Sequence, residues 1–338
     1  MTWKMESFRA LVAAQDESNG FQLQVRELVP EELPEAEEEV VIRVRASSLN
    51  YKDALACTPG NAIVARYPHI PGIDLAGTVL HSASPRFTAG QDVVVTGFGL
   101  GVSRYGGYSQ LARVPAKWVV PLPPGLTPLD AMRIGTAGIT AAMSIDALER
   151  HGLSPDQGDV LVTGATGGVG SFAVALLKAR GYRVAASTGK AAEESYLREL
   201  GADIVLARAD LQRDSVRPLE KQAWSAAVDP VGGPSLAFIL ASIRYGGAVA
   251  VSGLTGGGGI PTTVHPFILR GVSLLGIDSV QYPLERRYGL WRQIAEHLQQ
   301  AGLLERIGSR TIRLEDVPQA VEALLAGKIK GRVVVVPD

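Results

Sequence analysis

Four glycines, Gly164, Gly167, Gly168 and Gly170, interrupt an apolar run that then resumes at helical spacing in "VLVTGATGGVGSFAVALLKARGYRVAASTGK", Val160 to Lys190. In a strand–turn–helix unit such glycines allow a tight turn, a close backbone approach to a pyrophosphate and close seating of the helix on the sheet. The helix N-terminus adds free N–H groups and a positive dipole end. The usual spacing is G-x-G-x-x-G, and here Ala165 takes the first position, followed by Gly167 and Gly170. A bare tight turn is the alternative. Because strand, helix and next strand follow in register, we read the stretch as a dinucleotide site.

The end of the second strand separates NAD from NADP. A ribose 2′-hydroxyl is usually held by Asp or Glu, whereas a 2′-phosphate needs that acid absent and a cation or hydroxyl present. "YRVAASTGK" ends in Ser187, Thr188, Gly189 and Lys190, with no acid. Lys190 can pair with a 2′-phosphate, Thr188 can hydrogen-bond to it, and Arg208 after the third strand can clamp it from the other side. A solvated surface lysine is the other reading; we expect NADPH.

Metal chemistry finds little support. The chain has one cysteine, Cys57, and five histidines, His69, His81, His151, His265 and His297, at no ligand spacing. We expect no zinc and no disulfide framework.

These groups need elements to hold them. "EEEVVIRVRASSLN" sets Val41, Arg43 and Arg45 against Val40, Ile42 and Val44, a strand with one wet face, and "GQDVVVTGFGLG" and "GYSQLARVPAKWVVPLP" read as further strands. The first part is thus β-rich and mostly antiparallel. Past the prolines of "PLPPGLTP", Thr127 precedes a helical segment. From Asp159, short apolar runs ("DVLVTG", "RVAAST", "DIVLAR", "SAAVDPVG", "GGAVAVSGL", "VSLLGIDS") alternate with helix-length stretches, the mark of a doubly wound parallel sheet. An amphipathic helix, a strand, a helix over about 314–326 and the strand "GRVVVVPD" follow, a tail expected to return to the first domain. The expected division is 1–128 with 280–338, and 129–279.

With 338 residues, 33 basic against 34 acidic side chains and 46% hydrophobic residues, two ordinary domains with proper cores are expected, and no overall basic field for nucleic acid. The N-terminal "MTWKMESFRALVAAQDESNG" lacks a signal-peptide pattern and no apolar run is long enough to span a bilayer. The expectation is a cytoplasmic protein with no membrane partner.

"SSLNYKDALA", "PGIDLAGTV", "IGTAGITAAMS", "VTGATGGVGSFAVALL", "RPLEKQ", "PTTVHPFILR" and "KGRVVVV" together resemble the acrylyl-CoA reductase branch of the zinc-free quinone oxidoreductases, within the medium-chain dehydrogenase/reductases. The likeness runs from about Phe8 to Pro337. It implies an α/β chain with a GroES-like β-rich catalytic domain and a Rossmann domain, a homodimer, NADPH, and reduction of an activated carbon–carbon double bond. Where zinc relatives carry a cysteine and Gly-His-Glu, this chain has Asn50 and Gly72, Ile73, Asp74.

By position the resemblance places Tyr51 near the nicotinamide, Thr166, Gly167, Gly168 and Val169 at the pyrophosphate, and Thr188, Gly189, Lys190 and Arg208 at the 2′-phosphate. Leu254, Ile268 and Arg332 would line the nicotinamide side. Hydride addition to the β-carbon of an unsaturated thioester puts charge on its oxygen, so the Asn50 amide and Tyr51 hydroxyl are the candidate catalytic donors. Lys52 and Asp53 read as a local ion pair, and Asp74 as a structural carboxylate bonding backbone N–H groups or as a site residue. Arg66, Arg104 and Arg270 are candidate partners for a coenzyme A tail, each otherwise a surface arginine. Two rivals stay open: a reductase of quinones or small enones, and an NADPH-binding sensor or structural protein with little turnover.

Overall fold

Runs of Val, Ile and Ala build the two larger sheets of this molecule, and the polar residues at the strand ends decide where chemistry can sit. The computed structural model describes residues 5–16, 20–212 and 215–338, the side chains of 298–301 excepted. Residues 1–4 and 17–19, part of the N-terminal stretch read for a signal peptide, lie outside the described residues.

In chain order the elements are β1 (Phe8–Asp16), β2 (Gly20–Leu28), β3 (Glu39–Ser48), α1 (Tyr51–Ala56), β4 (Asp74–Ser82), β5 (Asp92–Thr96), β6 (Leu111–Pro115), β7 (Val120–Pro121) and α2 (Pro128–Arg150). Then come β8 (Asp159–Val162), α3 (Gly168–Ala179), β9 (Arg183–Thr188), α4 (Glu194–Leu200), β10 (Ile204–Ala207), β11 (Trp224–Asp229), α5 (Gly233–Ser242), β12 (Ile243–Val251), α6 (His265–Arg270) and β13 (Ser273–Gly276). The chain closes with α7 (Leu284–Ala301), α8 (Leu303–Ile307), β14 (Ser309–Arg313), α9 (Val317–Leu325) and β15 (Arg332–Val336).

Two compact units result: residues 1–136, 280–295 and 308–338, and residues 137–279 and 296–307. This differs from the expected division at two places. The first boundary falls inside α2, just after Gly135, whose backbone (φ 51°, ψ −161°) breaks the helix. Residues 296–307 join the second unit because α8 packs on α3 and α4 and the Tyr196 hydroxyl donates to the Ile307 carbonyl at 2.8 Å.

In the first unit β1 and β2 form an antiparallel pair, and the main sheet runs β14-β15-β3-β4-β5-β7. One edge of β3 carries β6 at Glu39–Arg43 and β15 at Ser47–Ser48. That pairing brings Arg332, at the start of β15, beside the end of β3. The wet face expected for β3 is confined to Arg43 and Arg45. Val41 is fully buried, in a core with Phe8, Leu11 and Val12 of β1 and Val317, Ala320 and Val321 of α9, while Val40, Ile42 and Val44 enter a second core with Leu75, Val93 and Val114.

The second unit is a parallel sheet in the order β10-β9-β8-β11-β12-β13. Counted along the chain from β8 this is the doubly wound 3-2-1-4-5-6 order, whose direction reverses between β8 and β11. Leu161, Ala185, Ala227 and Val249 share a buried cluster with Leu236, Ile239 and Leu240 of α5, and their neighbours Val160, Val184, Ala226 and Ala248 are buried too. Burial of successive residues on these strands explains their unbroken apolar runs.

Candidate active site

Each unit carries a polar centre built from residues that the sequence singles out. In the second it lies at the carboxyl end of β8. Gly164 turns the chain with φ +52°, and a Cβ on Gly170 would stand 2.6 Å from the Ala165 Cα, so the first turn of α3 presses directly on the loop. Ala165, where the motif has glycine, is buried with its N–H on the Ser187 carbonyl at 3.0 Å. Gly167 caps α3, and Gly168, Val169 and Gly170 form its opening turn, where N–H groups have no acceptor inside the helix.

Around this turn the structure gathers the residues read from the sequence. The Thr166 and Thr188 hydroxyls are 3.1 Å apart, and the Lys190 N–H donates to Thr188 Oγ1 at 3.0 Å. The Arg208 guanidinium lies across Gly189: a Cβ there would be 2.6 Å from Arg208 Cζ and 2.8 Å from Nε. Sequence reasoning missed Asp229, fully buried at the end of β11, which accepts from the Thr163 hydroxyl and from the N–H groups of Val231 (3.2 Å) and Gly232 (3.0 Å). Burial pushes its carboxyl above the usual range, against the pull of those hydrogen bonds. The signal was available, an Asp followed by Pro-Val-Gly-Gly, the mark of a side-chain-stabilised turn. Gly232 packs 3.5 Å from the Leu254 Cα, measured from where its Cβ would be, which places Leu254 beside this turn. Ile268 stands exposed on α6, and no hydrogen bond ties it to the centre.

In the first unit the centre is buried. Asp74, at 0% exposure, accepts at Oδ2 from Ser48 Oγ (2.6 Å), Asn50 Nδ2 (2.8 Å) and the Thr136 N–H (2.8 Å), and at Oδ1 from Thr136 Oγ1 (2.5 Å). Of the backbone N–H donors expected for this carboxylate there is one, Thr136, and the other three donors are side chains. Asp53 Oδ2 accepts from the Asn50 backbone N–H (2.9 Å) and Nδ2 (3.1 Å), and Oδ1 from the Ile73 N–H (2.8 Å). Burial, with Asp74 nearby, pushes the Asp53 carboxyl up to about 7, against those hydrogen bonds. The expected Lys52–Asp53 ion pair does not form, because Asp53 points into the interior.

Arg332 supplies the positive charge. It is buried, with Nε on the Arg133 carbonyl (2.9 Å) and Nη1 on Leu49 O (3.4 Å) and Asn50 Oδ1 (3.3 Å). Burial draws its pKa down while Asp74 and Asp53 hold it up. Gly135 closes the cluster: a Cβ there would be 2.6 Å from Asp74 Oδ2, 2.8 Å from Arg332 Nη2 and 2.9 Å from Ser48 Oγ.

This arrangement changes the role expected of Asn50. An amide has two N–H protons, and both are directed at buried carboxylates. Asn50 is therefore a positioning residue at the start of α1. Tyr51, one residue on, is 37% exposed, and its hydroxyl has no hydrogen-bond partner among the described residues. Of the three arginines considered for coenzyme A, Arg270 holds the Ala241 and Glu220 carbonyls (2.7 and 2.6 Å) and Arg104 holds Pro34 and Glu35 (3.2 and 2.6 Å). Both are structural ties; of the three, Arg66 is exposed and has no hydrogen bond among the described residues. Among the described residues no cluster of three or more His, Cys, Asp or Glu could hold a metal.

With this geometry in view, comparison with known proteins is informative. The chain is 51% identical over 97% of its length, and 98% of the relative's, to the protein of Bacillus subtilis (strain 168) named "Putative quinone oxidoreductase YhfP". It belongs to the quinone oxidoreductase-like family of the medium-chain dehydrogenase/reductases. Within that family it is 48% identical, over 97% of this chain and 98% of the other, to the acrylyl-CoA reductase AcuI of Ruegeria pomeroyi. Residues 36–124 match the alcohol dehydrogenase GroES-like domain and residues 168–296 the zinc-binding dehydrogenase model. The yhdH oxidoreductase of Salmonella enterica, solved in complex with NADP, superposes with a TM-score of 0.93 at 45% identity, over 98% of this chain and 100% of that one. The B. subtilis yhfP structure, with NAD bound, gives 0.93 at 50% over 98% and 99%. The fold is thus that of the family, a GroES-like domain with a Rossmann-like domain.

Proposed function

We propose that this chain is an NADPH-dependent reductase of the carbon–carbon double bond of an α,β-unsaturated acyl-CoA such as acrylyl-CoA. The observation that carries the reading is the gathering of Thr166, Thr188, Gly189, Lys190 and Arg208 at the end of β9, where the segment Ser187–Lys190 contains no acid. Near-full-length identity to an acrylyl-CoA reductase supports the substrate class.

NADPH fits the second unit: the opening turn of α3 offers N–H groups to a pyrophosphate, and hydroxyl, lysine and arginine suit a 2′-phosphate. When bound, it supplies hydride to the β-carbon. The chain's own task is then to stabilise charge on the thioester oxygen, and the Tyr51 hydroxyl, held by α1 and without a hydrogen-bond partner among the described residues, is the donor we assign. Asn50 fixes the start of α1 by spending its amide on Asp74 and Asp53. Water supplies the proton to the α-carbon. No step requires a metal.

A quinone reductase is the second reading, favoured by the identity to YhfP. Loss of NADPH absorbance with acrylyl-CoA and with 1,4-benzoquinone, NADH as control, tests both. Turnover with the thioester alone establishes the first reading, turnover with quinone alone the second, and turnover with neither leaves a binding protein. We further propose a homodimer, since β13 is an open edge of the sheet, and a cytoplasmic location, supported by the single cysteine and by the absence of a helix long and apolar enough to cross a membrane among the described residues.

A further inference from the structure

Gly189 does not serve the backbone. Its φ lies outside the left-handed region, it is exposed, and it follows the last residue of β9, so an alanine there would meet no conformational penalty. What a Cβ would meet is one side chain, the guanidinium of Arg208 at Cζ 2.6 Å and Nε 2.8 Å. Arg208 opens a short turn after β10, is exposed, and has no carboxylate or hydrogen-bond partner among the described residues. A cation with five donors lies flat against a strand end whose other groups are the Thr188 hydroxyl and Lys190.

We infer that Gly189 is a specificity-determining residue: by lacking a Cβ it lets Arg208 lie across the end of β9, where that guanidinium grips the 2′-phosphate that distinguishes NADPH from NADH. The inference rests on the NADPH reading. The guanidinium is the far end of a flexible side chain, so Gly189→Ala moves it aside without disturbing the fold. Arginine at this seat offers paired, directional donors, which lysine does not.

Isothermal titration of 2′,5′-ADP and 5′-AMP, two fragments that differ only in the phosphate, reads this without hydride chemistry. The wild type should prefer 2′,5′-ADP. Gly189→Ala should lose about tenfold in 2′,5′-ADP affinity with 5′-AMP unchanged, Arg208→Ala should lose about the same, and the double variant little more than either, since both remove one contact. The inference is overturned if Gly189→Ala keeps wild-type affinity, weakens both fragments equally, or costs as much again in the Arg208→Ala background. A wild type without preference for 2′,5′-ADP brings down the NADPH reading and this inference with it, a pattern distinct from the other three.

Discussion

Asp74 in the first unit is fully buried with four donors on its carboxylate, whereas Arg208 in the second is exposed with no partner among the described residues. Both belong to polar centres in which residues remote in sequence converge. The difference teaches which polar groups a protein has spent and which it has kept. Buried groups that satisfy one another hold the backbone in place, and removing one strands the rest. An exposed cation without an acceptor among the described residues, as Arg208 is, leaves its hydrogen-bonding capacity for a ligand. Substitutions in the first centre should therefore appear in stability, and those in the second in binding.

The largest effect belongs to Asp74. Asp74→Ala removes the acceptor of four hydrogen bonds and leaves Arg332 with less compensation in the interior, which should cost about 3–5 kcal/mol in urea unfolding. A loss under about 1 kcal/mol would mean the cluster is wet and the contrast false.

Asp53 tests the same centre through pH. Its folded carboxyl sits at about 7, above the ordinary 3.8, so the neutral form is favoured in the fold. The stability from this group is complete below about pH 4 and is lost as pH rises through about 7. By linkage the loss approaches about 4 kcal/mol, to an order of magnitude. Relative to Asp53→Asn, which cannot titrate, the wild type should lose unfolding free energy between those pH values. A constant difference would return Asp53 to an ordinary carboxylate.

Tyr51 belongs to neither pattern: it follows Asn50 in the chain, is partly exposed, and its hydroxyl has no hydrogen-bond partner among the described residues. Tyr51→Phe should lower kcat by about a hundredfold, with the NADPH affinity and the unfolding midpoint unchanged. Unchanged kcat with acrylyl-CoA would remove its catalytic role and leave α1 as scaffold alone.

How much of this was legible in the sequence follows from the same contrast. The strands of the second unit could be read from their apolar runs, because burial on both faces leaves a signature in consecutive residues. That Thr188, Gly189 and Lys190 lie beside the glycine turn could be read because they belong to one strand–turn–helix–strand unit, and Arg208 because it follows the next strand. The Asp74 cluster could not. Ser48, Asn50, Asp74, Thr136 and Arg332 come from β3, α1's cap, β4, α2 and β15, and nothing in any one segment announces the others. Asn50 looked like a free donor until both its protons were traced to carboxylates. Val41 looked solvent-facing because alternation shows one covered face and cannot show that β1 and α9 cover the other. Tertiary pairing, absent from local pattern, decided each case.

Ionic strength offers the smallest and most discriminating separation of the two centres. Exposed charges more than about 10 Å apart are screened near 0.1 M salt, and close exposed pairs are weakened, whereas buried pairs are screened far less. Raising salt from about 0.02 to about 0.2 M should weaken 2′,5′-ADP binding by about threefold while changing 5′-AMP binding less, because the extra phosphate engages Lys190 and Arg208 through solvent. Over the same range the stability cost of Asp74→Ala should hold within about 0.5 kcal/mol, because its partners are screened by protein. Equal salt dependence for the two fragments would show that the cations at β9 contribute no selective field, and the preference for NADPH would then have to come from the Thr188 hydroxyl alone.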